Sequence, residues 1–154
     1  MPLASYFSTL LDKINNMLAQ LLWIAGASIV LVLGTLHLAY TFFTDKFSSR
    51  NANVVEEMKQ SFPRLTNKTT LWKAWIGFNA SHSTGAIFIG LINIILAIQY
   101  FEILKQAYLL QILNILTLVF YLFLAKRYWF NIPFTGILIT LLCFIVSILI
   151  MFNS

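Results

Sequence analysis

Four apolar stretches, at about residues 18–43, 72–100, 104–125 and 134–152, carry no Asp, Glu, Lys or Arg well inside them. A helix rises ~1.5 Å per residue and a hydrocarbon core is ~30 Å thick, so each stretch is near or beyond the length that crosses a bilayer. With 60% of its residues hydrophobic and 10% charged, a chain of 154 residues has too little interior to hide this surface from water. The expected fold is all-α: an integral membrane, up-down four-helix bundle forming one domain over residues 1–154.

The connections fit that plan. Residues 2–17 read as an amphipathic helix, with Leu3, Tyr6, Phe7, Leu10, Leu11, Ile14 and Met17 at helical spacing. It either lies in the interface or leads into the first span. The late charges, the long apolar run and the lack of an A-x-A-like site argue for an uncleaved span rather than a signal peptide. The loop at 44–70 is the one sizeable polar segment. In it, NANVVEEMKQSFP reads as a short amphipathic helix capped by Asn53, with Glu56 three residues on and Pro63 ending it. It is expected to rest on the membrane surface, with a lid over a cavity as the alternative. A turn of a few residues around Glu102 makes spans two and three antiparallel neighbours. Lys126, Arg127, Tyr128 and Trp129 mark an interface anchor, and Pro133 opens span four.

Charge sets an expected orientation. Lys46, Arg50, Lys59, Arg64, Lys68, Lys73, Lys126 and Arg127 fall on one side, and only Lys13 and Lys105 on the other. The positive-inside rule then puts the first and third loops in the cytoplasm and both termini outside, where the Asn67-Lys68-Thr69 sequon never meets the glycosylation machinery. Basic residues split between two loops do not make a nucleic-acid surface. The single Cys143, inside an apolar run, excludes an intrachain disulfide and a cysteine-based metal site.

Polar and small residues recur at spacings of three and four in every span: Val30, Gly34, His37 and Thr41; Asn79, His82, Ser83, Ala86, Gly90 and Asn93; Ala107, Gln111, Asn114 and Tyr121; Gly136, Thr140, Cys143 and Ser147. Lipid offers nothing to a hydroxyl or an amide, so these stripes should turn inward. His37, Asn79, His82, Ser83, Tyr121 and Thr140 fall at similar depth in the cytoplasmic half and are the candidate ligand-binding residues. Asn93, Gln111 and Asn114 form a second layer. The two histidines have three readings: structural hydrogen-bonding groups, the lining of a pocket for a small lipophilic ligand, or the axial ligands of a b-type haem. Two histidines without a cysteine or carboxylate fall short of a zinc site. Successive residues on a helix point about 100° apart, so Ser81-His82-Ser83 is no nucleophile–base pair. No catalytic residue is assigned. Gly77, Ser81 and Gly85 make a small-xxx-small ridge, for packing within the bundle or for a homo-oligomer or partner membrane subunit.

The segments GTLHLAYTFF and WKAWIGFNASHSTG resemble a family of small bacterial inner-membrane proteins with four predicted spans and no assigned activity. Gly34 and His37, with Gly77-Phe78-Asn79 and Ser81-His82-Ser83, carry the likeness over roughly the first two thirds of the chain. It implies a bacterial cytoplasmic membrane location and two histidines acting as a pair. A similarity to DoxX-type four-helix proteins rests on architecture alone. The buried Arg and Glu of the trimeric membrane glutathione transferases are absent. The functional expectation is a non-enzymatic membrane protein that binds a small lipophilic ligand or a partner subunit, with a bis-histidine haem protein and a structural accessory subunit as alternatives.

Overall fold

The computed structural model describes residues 3–153. The chain is all-helical, with no strand among the described residues. Its helices are α1 (Leu3–Phe43), α2 (Ala52–Gln60), α3 (Leu71–Gln99), α4 (Phe101–Gln106), α5 (Tyr108–Tyr128) and α6 (Asn131–Phe152). Of these, α1, α3, α5 and α6 are long and apolar enough to cross a membrane, as in a multi-pass membrane protein.

The boundaries differ from expectation in four places. The expected amphipathic helix at 2–17 is continuous with span one in the 41-residue α1. Its described part has no stop signal, because Asn15, Asn16 and Met17 contain neither Pro nor Gly. Span three begins at Tyr108 rather than 104, because Leu104 belongs to the separate short helix α4. Ala107 leaves the helical region at φ −84° and ψ 65°. The Gln111 side chain then donates to the Leu104 and Lys105 carbonyls at 2.8 and 3.1 Å, satisfying acceptors freed by that break. Span four begins at Asn131, with Pro133 in its first turn, where the missing N–H has no helical partner to lose. The N-cap of α2 is Asn51 rather than Asn53: its side-chain oxygen accepts from Asn53 N at 3.0 Å. Glu56 forms no capping box there and meets Gln60 at 2.9 Å and Lys59 at 3.6 Å.

The chain divides into two compact units, one of Met1–Leu31 with Ile89–Ser154 and one of Val32–Phe88. The first is built around Trp23, which is 0% exposed. Ala19, Trp23, Ala27 and Val30 recur every three or four residues along α1 and form its buried stripe. The Trp23 ring stacks on Phe144 of α6 at 3.9 Å and 6°. Its Nε1–H donates to Asn93 Oδ1 of α3 at 3.0 Å. Asn93 in turn donates to Asn114 Oδ1 of α5 at 2.8 Å and to Ile89 O at 2.9 Å. One indole thus reaches two helices directly and a third through an amide, and every polar atom of the Asn93 amide has a partner.

Further bonds set the register within this unit. Ser147 donates to Ala19 O at 2.7 Å and Thr140 to Gly26 O at 3.1 Å, while Gln20 donates to Ala97 O at 2.7 Å. The order of these pairs makes α1 antiparallel to α6 and to this part of α3. Tyr108 stacks on Phe152 at 5.4 Å, so α5 and α6 are antiparallel as well. Gly90 is where α3 meets α1 most closely: a Cβ there would lie 2.8 Å from Leu31 Cα. Outside, Leu109, Ile112, Leu116, Phe120 and Leu149 are exposed, a surface that suits acyl chains.

Three substitutions test this packing by unfolding in mixed micelles. Gly90→Ala is expected to destabilise by about 1–3 kcal/mol, since the Leu31 backbone must move. Gly85→Ala, with nothing within 4 Å of its new methyl, is expected to be neutral or to gain up to about 1 kcal/mol of helix propensity. Trp23→Phe keeps a ring beside Phe144 but leaves Asn93 Oδ1 without its donor, and should cost about 1–3 kcal/mol in the same measurement.

Candidate functional site

The second unit, Val32–Phe88, contains the end of α1, the loop with α2 and the start of α3. The two long helices approach at Gly34, where a Cβ would lie 2.9 Å from Ile87 N and 3.0 Å from Ala86 Cβ. A closely approached Gly34 brings the next polar side chains along the stripe within reach of each other. His37 Nε2 meets Asn79 Oδ1 at 2.9 Å, and the His37 and His82 rings lie edge to face at 5.5 Å and 73°. Both rings are half-buried.

The hydrogen bonds determine the protonation pattern. Asn79 Nδ2 donates to Trp75 O at 2.9 Å, which leaves Oδ1 facing His37. An amide oxygen only accepts, so His37 carries its proton on Nε2, and in the neutral ring the lone pair is on Nδ1. Ser83 donates to Asn79 O at 2.7 Å, and Thr41 to His37 O at 2.8 Å. Such bonds to the carbonyl one turn back satisfy a hydroxyl without help from another helix.

The loop supplies a cover. Thr44 closes α1 with a bond to Tyr40 O at 2.9 Å and accepts from Lys46 N at 3.3 Å. Ser48 N then donates to Asp45 O at 2.8 Å. This turn folds the chain back, so that Phe47 stacks on His37 at 4.3 Å while Lys46 Nζ lies 4.0 Å over the Tyr40 ring. No residue of α2 is buried. The covering contact that α2 offered as an alternative is made by Phe47, which the sequence reading passed over. Its only sequence signal is a lone aromatic in a polar turn four residues after the helix end.

Four of the six candidate residues, His37, Asn79, His82 and Ser83, are therefore brought together in this unit. Tyr121 and Thr140 belong to the other unit and have partners there. The Tyr121 ring lies 6.2 Å from that of Trp129, and Thr140 bonds Gly26 O and, at 3.0 Å, Gly136 O. The ridge of Gly77, Ser81 and Gly85 faces open space at both glycines, and Ser81 is exposed and bonded to Phe78 O. Packing of α3 in this unit uses the face opposite Gly34 instead.

An axial pair would aim one nitrogen of each imidazole at a single iron from opposite faces of a flat macrocycle. His37 Nε2 is aimed at Asn79 instead, and the two rings touch edge to face. The residues do not fit that group. Among the described residues no three His, Cys, Asp or Glu side chains gather in a way that could hold a metal ion. What the arrangement offers is a fixed imidazole donor, a second imidazole beside it and an aromatic cover reached through a short turn. Comparison with family models, with curated proteins and with solved structures finds no match to this chain.

Proposed function

We propose that this chain is a non-enzymatic protein of the bacterial cytoplasmic membrane, an up-down bundle of four spans that binds a small lipophilic ligand at His37, Asn79 and His82. The single observation that supports it is the meeting of these three side chains, half-buried, with Phe47 of a loop turn stacked on His37. Polar groups at membrane depth are costly, and those retained at a half-open position point to use rather than to packing. The ligand needs an apolar body to partition from the bilayer and a hydroxyl, amide or carbonyl to exchange with the Asn79–His37 bond. Phe47 would swing aside with its turn to admit it, a motion of a few loop residues.

The orientation belongs to the same proposal. Eight basic residues on the side of the first and third loops favour a cytoplasmic position for the site's mouth, with both termini outside. The stacked pair Trp72 and Trp75, at 5.4 Å, is suited to the interface at the start of α3.

Native mass spectrometry of the purified chain is expected to show a co-purifying small molecule, reduced about tenfold or more in His82→Ala and in Asn79→Leu, the loss of one charge-free polar contact or more. An identical spectrum for wild type and both variants would remove the site. The same wild-type preparation, expressed with ample haem, is expected to show no Soret band. For orientation, cysteines placed singly at Leu65 and Glu102 in a Cys143→Ser background should react with an impermeant maleimide from opposite faces of the membrane, Glu102→Cys from outside. Labelling of both from the same face would refute the arrangement.

A further inference from the structure

Two cavities of the first unit lie beside one another where α4, α5 and α6 meet. One, of about 290 Å³, has Glu102, Lys105 and Gln106 at its mouth. The other, of about 340 Å³, is a groove between α5 and α6 walled by Ile112, Ile115, Ile145 and Ile148. They share Tyr108, Gln111 and Phe152. A polar vestibule carrying both signs of charge therefore opens onto an apolar channel.

The dimensions restrict the occupant. Groove residues run from Tyr108 to Leu116 on α5 and from Ile145 to Phe152 on α6. At ~1.5 Å per residue that is roughly 10–12 Å, most of the ~15 Å depth of one leaflet's hydrocarbon. The groove is deep enough for an acyl chain and open along its side, as a lipid-filled furrow must be. At its upper end Lys105 Nζ is held by Asn16 Oδ1 at 3.0 Å, which fixes the ammonium at the mouth rather than leaving it to swing into water. Glu102, one turn before it on α4, is exposed and adds the opposite charge. Gln111, buried below them, ties the α4–α5 break and so keeps vestibule and groove in line.

We propose that this furrow seats one acyl chain of a zwitterionic phospholipid with a primary ammonium headgroup, its phosphate toward Lys105 and its ammonium toward Glu102. Charge-assisted hydrogen bonds of this kind discriminate headgroups, whereas the groove itself accepts any chain of suitable length. A phosphatidylglycerol would satisfy Lys105 and leave Glu102 facing a neutral glycerol. A free headgroup would gain nothing from the groove. The site shares no residue with the histidine cluster, and it rests on α5 and α6 crossing a membrane.

The test uses the full chain, delipidated in detergent and then exposed in turn to palmitoyl-oleoyl phosphatidylethanolamine, the corresponding phosphatidylglycerol and soluble phosphoethanolamine. Native mass spectrometry is expected to show one retained phosphatidylethanolamine per chain, about tenfold more than phosphatidylglycerol, and no phosphoethanolamine. Glu102→Gln, at an exposed position, should abolish the preference while keeping the adduct. Ile148→Trp should remove both lipid adducts with helical circular dichroism unchanged. Equal retention of the two lipids by wild type and both variants would mean belt lipid only and would overturn the site, as would tight binding of phosphoethanolamine. A chain that stays in aqueous solution after detergent removal would overturn the membrane premise itself. An embedded chain without selectivity would overturn the lipid site alone.

Discussion

A hydroxyl, an amide or an indole N–H carried on a long apolar helix must find its acceptor within the protein, because hydrocarbon supplies none. This chain meets the requirement in two ways. Ser83, Thr84, Thr41 and Thr117 donate to the carbonyl four residues back, which closes the account within one helix and says nothing about neighbours. Trp23, Ser147, Gln20 and Asn93 donate across to another helix. Apolar contacts in a bilayer scarcely distinguish a helix from a lipid, so the second group, with the close approaches at Gly26 and Gly90, chooses which helices meet and in what register.

The two polar clusters differ in burial for a physical reason. Around Trp23, the indole and both asparagines are buried and bonded to one another or to carbonyls one turn back, and a satisfied buried network rigidifies. The His37–Asn79–His82 group is half-buried, and a residue of a loop turn stacks on His37. Opening it disturbs a turn of a few residues, whereas opening the Trp23 network separates helices. Local opening free energies are lowest where backbone lies in exposed turns, which is where binding sites are commonly drawn from.

Periodicity carried a good deal of this. The stripe on α3 is buried at Ser83, Ala86, Gly90 and Asn93, and that on α6 at Thr140 and Ser147, as their three- and four-residue spacing requires. It also brought His37 and His82 to the same level, since their distances from the two loop ends of α1 and α3 are a matter of counting residues. The break at Ala107 was not legible: no Pro or Gly marks it, and what sustains it is a side chain four residues further on, folded back over the gap. The cap of α2 shifted to Asn51 because several nearby residues, Ser49, Asn51 and Asn53, can each serve as a cap.

The residue order alone determined that four helices would be long and apolar, that each would carry one polar face, and that charge would stay out of the middle of the apolar stretches. These are properties of single segments, set by the 3.6-residue repeat and the cost of polar groups in hydrocarbon. Which polar residue meets which was decided in three dimensions: Trp23 with Asn93 across 70 residues, Phe47 upon His37, Tyr121 beside Trp129, and the ridge at Gly77 and Gly85 facing open space. Such pairings depend on how helices rotate against each other and on how a turn directs the chain. A side-chain period records neither.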